Sequence, residues 1–361
     1  MLRALDLWLP SYLRQRRHPG GATDVLICVC DHFEPLHATD KAGALARLTL
    51  WQEQYPKLIA PFRDSDGIRP RHTFFYPIEQ YDPDLLEELR KLCDASGGEV
   101  EIHLHHHADT AENLRQTVER GKAQLTSHGM LSQDENGRVS YGFVHGNWAL
   151  DHSDPTGKNC GVSDELGILR QTGCYGDFTM PSAPHRTQTR TVNRIYYATD
   201  TPQPKSHDHG REVRCAAPAS EKQRPDELLL VQGPLGLNWR SRKAGLLPRI
   251  ENGDLTGANP PTAERFALWT NLGVHVHGRP EWIFVKLHTH GAHPRNSPAL
   301  LGKPMSDFFS SLTAEEKTLN GMRAHFVTAR EMVNIAHAAE DGCLGNPGKF
   351  RDYRFKRLVP Q

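Results

Sequence analysis

Between residues 24 and 130 the chain alternates short apolar, β-branched runs with stretches of helical period, and few folds accommodate that rhythm. Residues 24–30 (DVLICVC) form a continuous apolar run, as expected of a strand buried on both faces. A helix of about 20 residues is expected next, because Leu45, Leu48, Trp51, Tyr55, Leu58 and Ile59 fall on one stripe. Residues 71–77 read as a second strand stopped by Pro77, and Asp82-Pro83 opens a helix carrying Leu85, Leu86, Leu89 and Leu92. The stretch 99–109 reads as a short third strand running into a cluster of histidines, followed by a helix over 110–127. Further strands are expected at 141–148 and 175–180, with a short helix at 162–171 between them. Such alternation predicts a parallel sheet or a (β/α) barrel.

The stretch 181–270 breaks the rhythm. It is rich in Pro, Arg and Asn, with strands expected at 193–198 and 228–232, and reads as an elaboration carrying further strands of the same domain. Residues 281–290 (EWIFVKLHTH) form a last buried strand, and helices over 304–312 and 329–339 close the chain. The organisation expected is an N-terminal amphipathic segment (1–20), one domain (21–340) and a C-terminal tail (341–361).

Histidine marks the functional positions. The chain has 21 of them, and four lie within five positions at His103, His105, His106 and His107. Buried imidazoles need partners for their nitrogens, and a metal ion is one such partner. His103 and His107 sit four apart, a common ligand spacing. Asp31-His32, His145 with Asn147, Asp177 and His288-Thr289-His290 also fall at or near expected strand ends, where parallel α/β folds bind ligands.

The remaining composition mostly excludes. Lys plus Arg equals Asp plus Glu at 43 each, so charge gives no reason to expect a nucleic-acid partner. Seven cysteines without a CxxC pair read as reduced thiols of a cytoplasmic protein rather than as a disulfide framework or a four-cysteine zinc site. No apolar run approaches the roughly 20 residues of a membrane span. The basic N-terminal segment lacks the features of a secretory signal; it reads as a surface helix, with membrane-surface contact as the alternative.

These residues resemble the polysaccharide deacetylase superfamily, metal-dependent carbohydrate esterases built on a seven-stranded barrel. Thr73-Phe74-Phe75 matches the family's second strand, and Gly97, Glu99, Val100, His103 and His107 fall in step with its third. Val285-Lys286-Leu287-His288 is similar to its closing strand. Leu104 stands where the family has Thr or Ser, His32 where it has a second acidic residue, and the Arg motif after strand four has no copy. The resemblance implies a distorted (β/α)7 barrel of mostly parallel strands that binds a divalent metal, Zn2+ first, with Co2+, Ni2+ or Mn2+ as alternatives. It implies His103 and His107 as ligands, with His32, Asp31 or His105 as the third.

Asp31 is then the expected base, with Glu34 as a further acidic alternative. His288 is the expected acid, or His290, which shares its face. His145 or Asn147 would hold the oxyanion, Asp177 would tune the acid, and Trp148 would meet the sugar. The activity implied is removal of an acyl group from a glycan or glycan precursor. A glycoside hydrolase using Asp31 and Asp177, and a non-catalytic metal- or sugar-binding barrel, are the rival expectations.

Overall fold

The computed structural model describes residues 4–15, 18–243, 245–313 and 321–358. In chain order the elements are α1 (Leu5–Arg14), β1 (Asp24–His32), α2 (Lys41–Ile59), β2 (Thr73–Pro77), α3 (Pro83–Ser96), β3 (Glu99–Leu104), α4 (Ala111–Ser127), β4 (Ser132–Gln133) and β5 (Val139–His145). There follow α5 (Glu165–Gln171), β6 (Cys174–Asp177), β7 (Ile195–Thr199), β8 (Arg211–Glu212), β9 (Glu227–Val231), β10 (Gly236–Lys243), β11 (Leu247–Glu251) and α6 (Ala263–Leu272). The chain closes with β12 (Trp282–Thr289), α7 (Ser297–Leu300), α8 (Lys303–Thr313), β13 (Arg323–Phe326), α9 (Ala329–Glu340) and β14 (Lys356–Arg357).

Twelve strands form one mixed sheet whose main order is β12-β1-β2-β3-β5-β6-β9-β7-β8. Pairing is parallel from β12 to β9, while β7 and β8 run antiparallel. β1 is buried along its whole length because both its edges are occupied. On one side β12 runs beside it from Asp24↔Trp282 to Asp31↔Thr289. The other side is shared, β13 pairing with residues 24–27 and β2 with residues 30–32.

Alternation along each strand divides the core in two. Val25, Ile27, Val29, Phe74, Val100 and Ile102 pack with residues of α2, α3 and α4, including Trp51, Leu89 and Val118. Leu26, Cys28, Cys30, Phe75, Val144 and Leu229 pack instead with Met332, Val333 and Ile335 of α9. The helices begin where the chain offers caps. Asp40, Asp82 and Thr110 each accept a backbone N–H of the first turn of α2, α3 and α4, and Gly97 ends α3 at φ 73°.

Every residue of α9 is buried, which requires its polar side chains to be paired. Thr328 and Glu331 form a capping box at its start. Arg330 Nη2 donates to Glu99 Oε1 at 2.7 Å, Arg71 pairs with Glu331, and Tyr197 Oη donates to Glu340 Oε1 at 2.8 Å.

Strand 141–148 of the sequence reading stops at His145. The next three residues form a short helical turn, and Asn147 and Trp148 are both left-handed at φ 54°. The strand expected over 175–180 is shorter, Cys174–Asp177. The stretch 181–270 supplies β7, β8 and β9 to the main sheet, a separate β10–β11 hairpin, and α6. α1 packs Leu7 and Trp8 against Ala183, Val192 and Leu235; residues 1–3, 16 and 17 of the segment 1–20 lie outside the described ones. Of the tail 341–361, β14 pairs with β4, and Arg351 pairs with Asp64 and Asp66; residues 359–361 lie outside the described ones. No helix among the described residues is long and apolar enough to cross a membrane.

Candidate metal centre

Three strand ends meet at one carboxylate. His32 ends β1 and Glu34 follows it by two residues, so both fall on the same side of the extended chain. The same period carries His103 and His105 from the end of β3, and His288 and His290 from the end of β12. His103 Nε2 lies 3.2 Å from Glu34 Oε1, His105 Nε2 3.6 Å from it, and His290 Nε2 3.9 Å. The His32 ring centroid is 4.8 Å from that of His290 and 5.1 Å from that of His103. His32, Glu34 and His290 form one potential ligand set, and Glu34, His103 and His105 another that shares the carboxylate.

The ring orientations are set from behind. His103 Nδ1 donates to Val144 O at 2.7 Å, so in the neutral ring Nε2 carries the lone pair and faces Glu34. His105 Nδ1 lies 2.7 Å from Glu79 Oε1, a carboxylate on the ligand's far nitrogen, which is how metal-binding histidines are commonly held. His32 Nε2 is buried with no hydrogen-bond partner, a costly state that a cation at the shared centre would relieve. The residues present therefore fit a divalent ion.

Charge follows the same geometry. Burial raises the Glu34 carboxyl, but the neighbouring His103, His290 and His105, when protonated, outweigh it and bring it down to about 2. Burial pushes His32 well below the usual imidazole range, helped by His290, His103 and His288. Burial also lowers His290. His105 goes the other way, because Glu79 and then Glu34 more than offset its burial.

The structure brings together His32, His103, His290 and Trp148 from the sequence reading, with His105 and Glu34, which had been alternatives. The Trp148 ring stands 6.5 Å from that of His32 and 6.2 Å from that of His290. His288 is buried deeper on the same strand, 6.3 Å from His32 between ring centroids, and its Nδ1 has no partner. Asn147 is exposed on the adjoining turn.

Four other residues go elsewhere. His107 is exposed and joins no potential ligand set, because the chain leaves the strand at Leu104 and turns at Ala108, φ 44°. Asp31 has the opposite parity to His32 and points towards α2. His72 Nε2 donates to its Oδ2 at 2.8 Å and the Gly291 N–H to its Oδ1 at 2.6 Å, so Asp31 anchors the loop carrying His290. Asp177 accepts the Thr179 backbone N–H at 3.1 Å and its hydroxyl at 2.7 Å, and burial raises it to about 7. His145 is fully buried against His106, not against Glu34.

Sequence reasoning missed Glu79, whose only signal was its place just beyond the end of β2. A further His–carboxylate group, Asp64, Asp66 and His325, is taken up by Arg351 and by Asp24. A cavity of about 820 Å3 lined by Tyr12, Leu13, Trp239 and Leu268 lies beside α1 rather than at the histidines.

Gly146 fixes the position of His105. A Cβ there would stand 2.3 Å from His105 Cδ2 and 2.5 Å from Cγ, so any side chain must displace the ring. Gly146→Ala is expected to weaken metal binding by about 10- to 100-fold, the usual cost of disturbing a ligand's support. Competition against a chromogenic chelator measures this, and wild-type affinity in the variant would remove His105 from the ligand set.

No protein-family model matches this chain, and no curated protein is found to be similar to it.

Proposed function

We propose that the chain is a metal-dependent hydrolase of the polysaccharide deacetylase type, removing an acyl group, N-acetyl first, from a glycan or glycan precursor. The reading is carried by the convergence of four imidazoles on the buried Glu34 carboxylate. In this proposal the sheet is closed into a barrel. Support comes from residues 274–277, which bond to both ends of the strand order: the Phe284 N–H donates to Val274 O, and the His277 N–H to Val213 O.

His103 and His105 with Glu34 would hold the ion beside His32, three nitrogen and oxygen donors that leave a position open and suit Zn2+ first and Co2+, Ni2+ or Mn2+ after it. When bound, the ion supplies the Lewis acidity that polarises an acyl carbonyl and acidifies water. His290, on the open rim with a side chain 36% exposed, takes a proton from the attacking water and passes it to the departing amine. Trp148 offers an apolar ring face to the sugar. Asp31 acts at one remove, positioning His290 through Gly291.

A glycoside hydrolase needs two carboxylates facing one cleft, some 5 to 9.5 Å apart. Asp31 is bonded to His72 and Gly291, and Asp177 to Thr179, which favours the acyl hydrolase. We place the reaction in the cytoplasm, a reading supported by seven free cysteines.

The test is acetate release from N-acetylated oligosaccharides and nucleotide-activated N-acetyl sugars. Release that stops on chelation and returns with Zn2+ is the expected result. A full equivalent of bound metal with no release from any of them would make the chain a binding protein. Failure to bind metal would overturn the proposal.

A further inference from the structure

One residue beyond His105, His106 turns into a second cluster that the proposed reaction does not use. His106 Nε2 lies 2.8 Å from His145 Nε2 and 3.2 Å from Glu165 Oε1, and His145 Nε2 lies 3.5 Å from the same oxygen. Cys160 Sγ approaches the other Glu165 oxygen at 3.6 Å. The four donor atoms all lie within 4.8 Å of one another, and all four residues are buried. They come from four separate places: the chain after β3, the end of β5, the loop before α5, and the first turn of α5.

The proton inventory is what makes the cluster unusual. His145 Nδ1 stands 2.6 Å from Gly146 O, and a carbonyl only accepts, so the proton of the neutral ring is on Nδ1. His106 Nδ1 likewise faces Asp109 Oδ2 at 3.0 Å. With both rings neutral, two nitrogen lone pairs and a carboxylate oxygen point at one another with no hydrogen between them. A cation at their centre satisfies all three.

Each donor also has a partner behind it, as ligands do. Besides Asp109 and Gly146 O, the Asp151 N–H donates to Glu165 Oε2 at 2.6 Å and the Val162 N–H to Cys160 Sγ at 3.4 Å. Tetrahedral zinc with Zn–N near 2.0 Å and Zn–S near 2.3 Å sets donor separations of roughly 3.3 to 3.8 Å. The nitrogen and oxygen separations of 2.8 to 3.5 Å lie around that range and the sulfur stands within 4.8 Å of them, so binding draws the four ligands together by up to about an ångström.

We infer that His106, His145, Cys160 and Glu165 form a second metal site, closed and structural, which takes zinc or another divalent ion that accepts a thiolate. The sulfur donor selects against magnesium and calcium, and four buried protein ligands leave no position for substrate. Binding releases the Cys160 proton to solvent. The ion ties the loop between β5 and α5 to the end of β3. That loop carries Trp148 and the left-handed residues Asn147, Asp151 and His152. The site does not depend on the proposed reaction.

Cobalt titration of the apo protein tests it, because only a thiolate ligand gives a near-ultraviolet sulfur-to-cobalt charge-transfer absorption. That absorption is expected to saturate at one equivalent in wild type and in His103→Ala, and to be absent from Cys160→Ser. No such absorption in wild type, or its retention in Cys160→Ser, overturns the site. Should Cys160→Ser fail to fold, X-ray absorption of zinc-loaded wild type decides: a sulfur neighbour is expected, and a shell of nitrogen and oxygen alone refutes the inference. Loss of the Glu34 centre would show differently, as the absence of a sulfur-free equivalent.

Discussion

Replacing His103 by alanine is expected to lower the metal content by one equivalent and acyl release by about a thousand-fold or more, while His107→Ala leaves both at wild-type values. A Lewis acid contributes several kcal/mol to such a transition state, and each tenfold in rate is about 1.36 kcal/mol. His103 is fully buried, with Nδ1 held by Val144 O and Nε2 facing Glu34. His107 is exposed. Metal analysis beside circular dichroism separates loss of the ion from loss of fold. Equal effects of the two substitutions would contradict the assignment.

The second large effect concerns stability. Arg330→Met is expected to destabilise the protein by about 3 to 5 kcal/mol, because it strands the Glu99 carboxylate among buried residues. Arg330 is 3% exposed and Glu99 8%. Besides the pair itself, Arg330 Nη1 donates to Phe355 O at 2.7 Å, so the same side chain fastens the segment after α9. Removing both charges, in Arg330→Met with Glu99→Leu, is expected to recover part of the loss, since no lone carboxylate remains. Urea denaturation of Arg330→Met, Glu99→Leu and the double variant measures this as a coupling energy. A cost below about 1 kcal/mol for Arg330→Met would mean that Glu99 finds water or a proton instead.

Much of the framework could be read from the chain because its signals are local. The run DVLICVC, the stripe from Leu45 to Ile59, and the helix start at Asp82-Pro83 each declare an element within one turn or strand. The sheet's order, and the division of β1's edge between β2 and β13, rest on contacts nearly 300 residues apart that leave no local mark. The candidate centre was half legible for a related reason. His32, His103 and His290 drew notice because they crowd strand ends, and the structure brings them together. His107 was preferred to His105 by a four-residue spacing that suits a helix, whereas a strand repeats every two. The same rule of two separates Glu34, which faces the histidines, from Asp31, which faces α2. Cys160 and Glu165 lie on a loop and in a helix's first turn, and nothing in their neighbourhood announces His145 as a partner.

The division of β1's edge also bears on how the molecule assembles. β1 emerges long before its neighbours β12 and β13, which span residues 282 to 326. Until those arrive, the strand carrying His32 has only three residues of β2 to pair with. Closing so long a loop costs entropy before any contact repays it, so a slow, late step is expected on ordinary topological grounds. In the interval an apolar strand with open edges is exposed to other chains, which makes a nascent chain short of residue 326 prone to aggregate. Assembly of the candidate centre is bound to the same schedule, since Glu34 and His290 meet only when the first strand has found the twelfth.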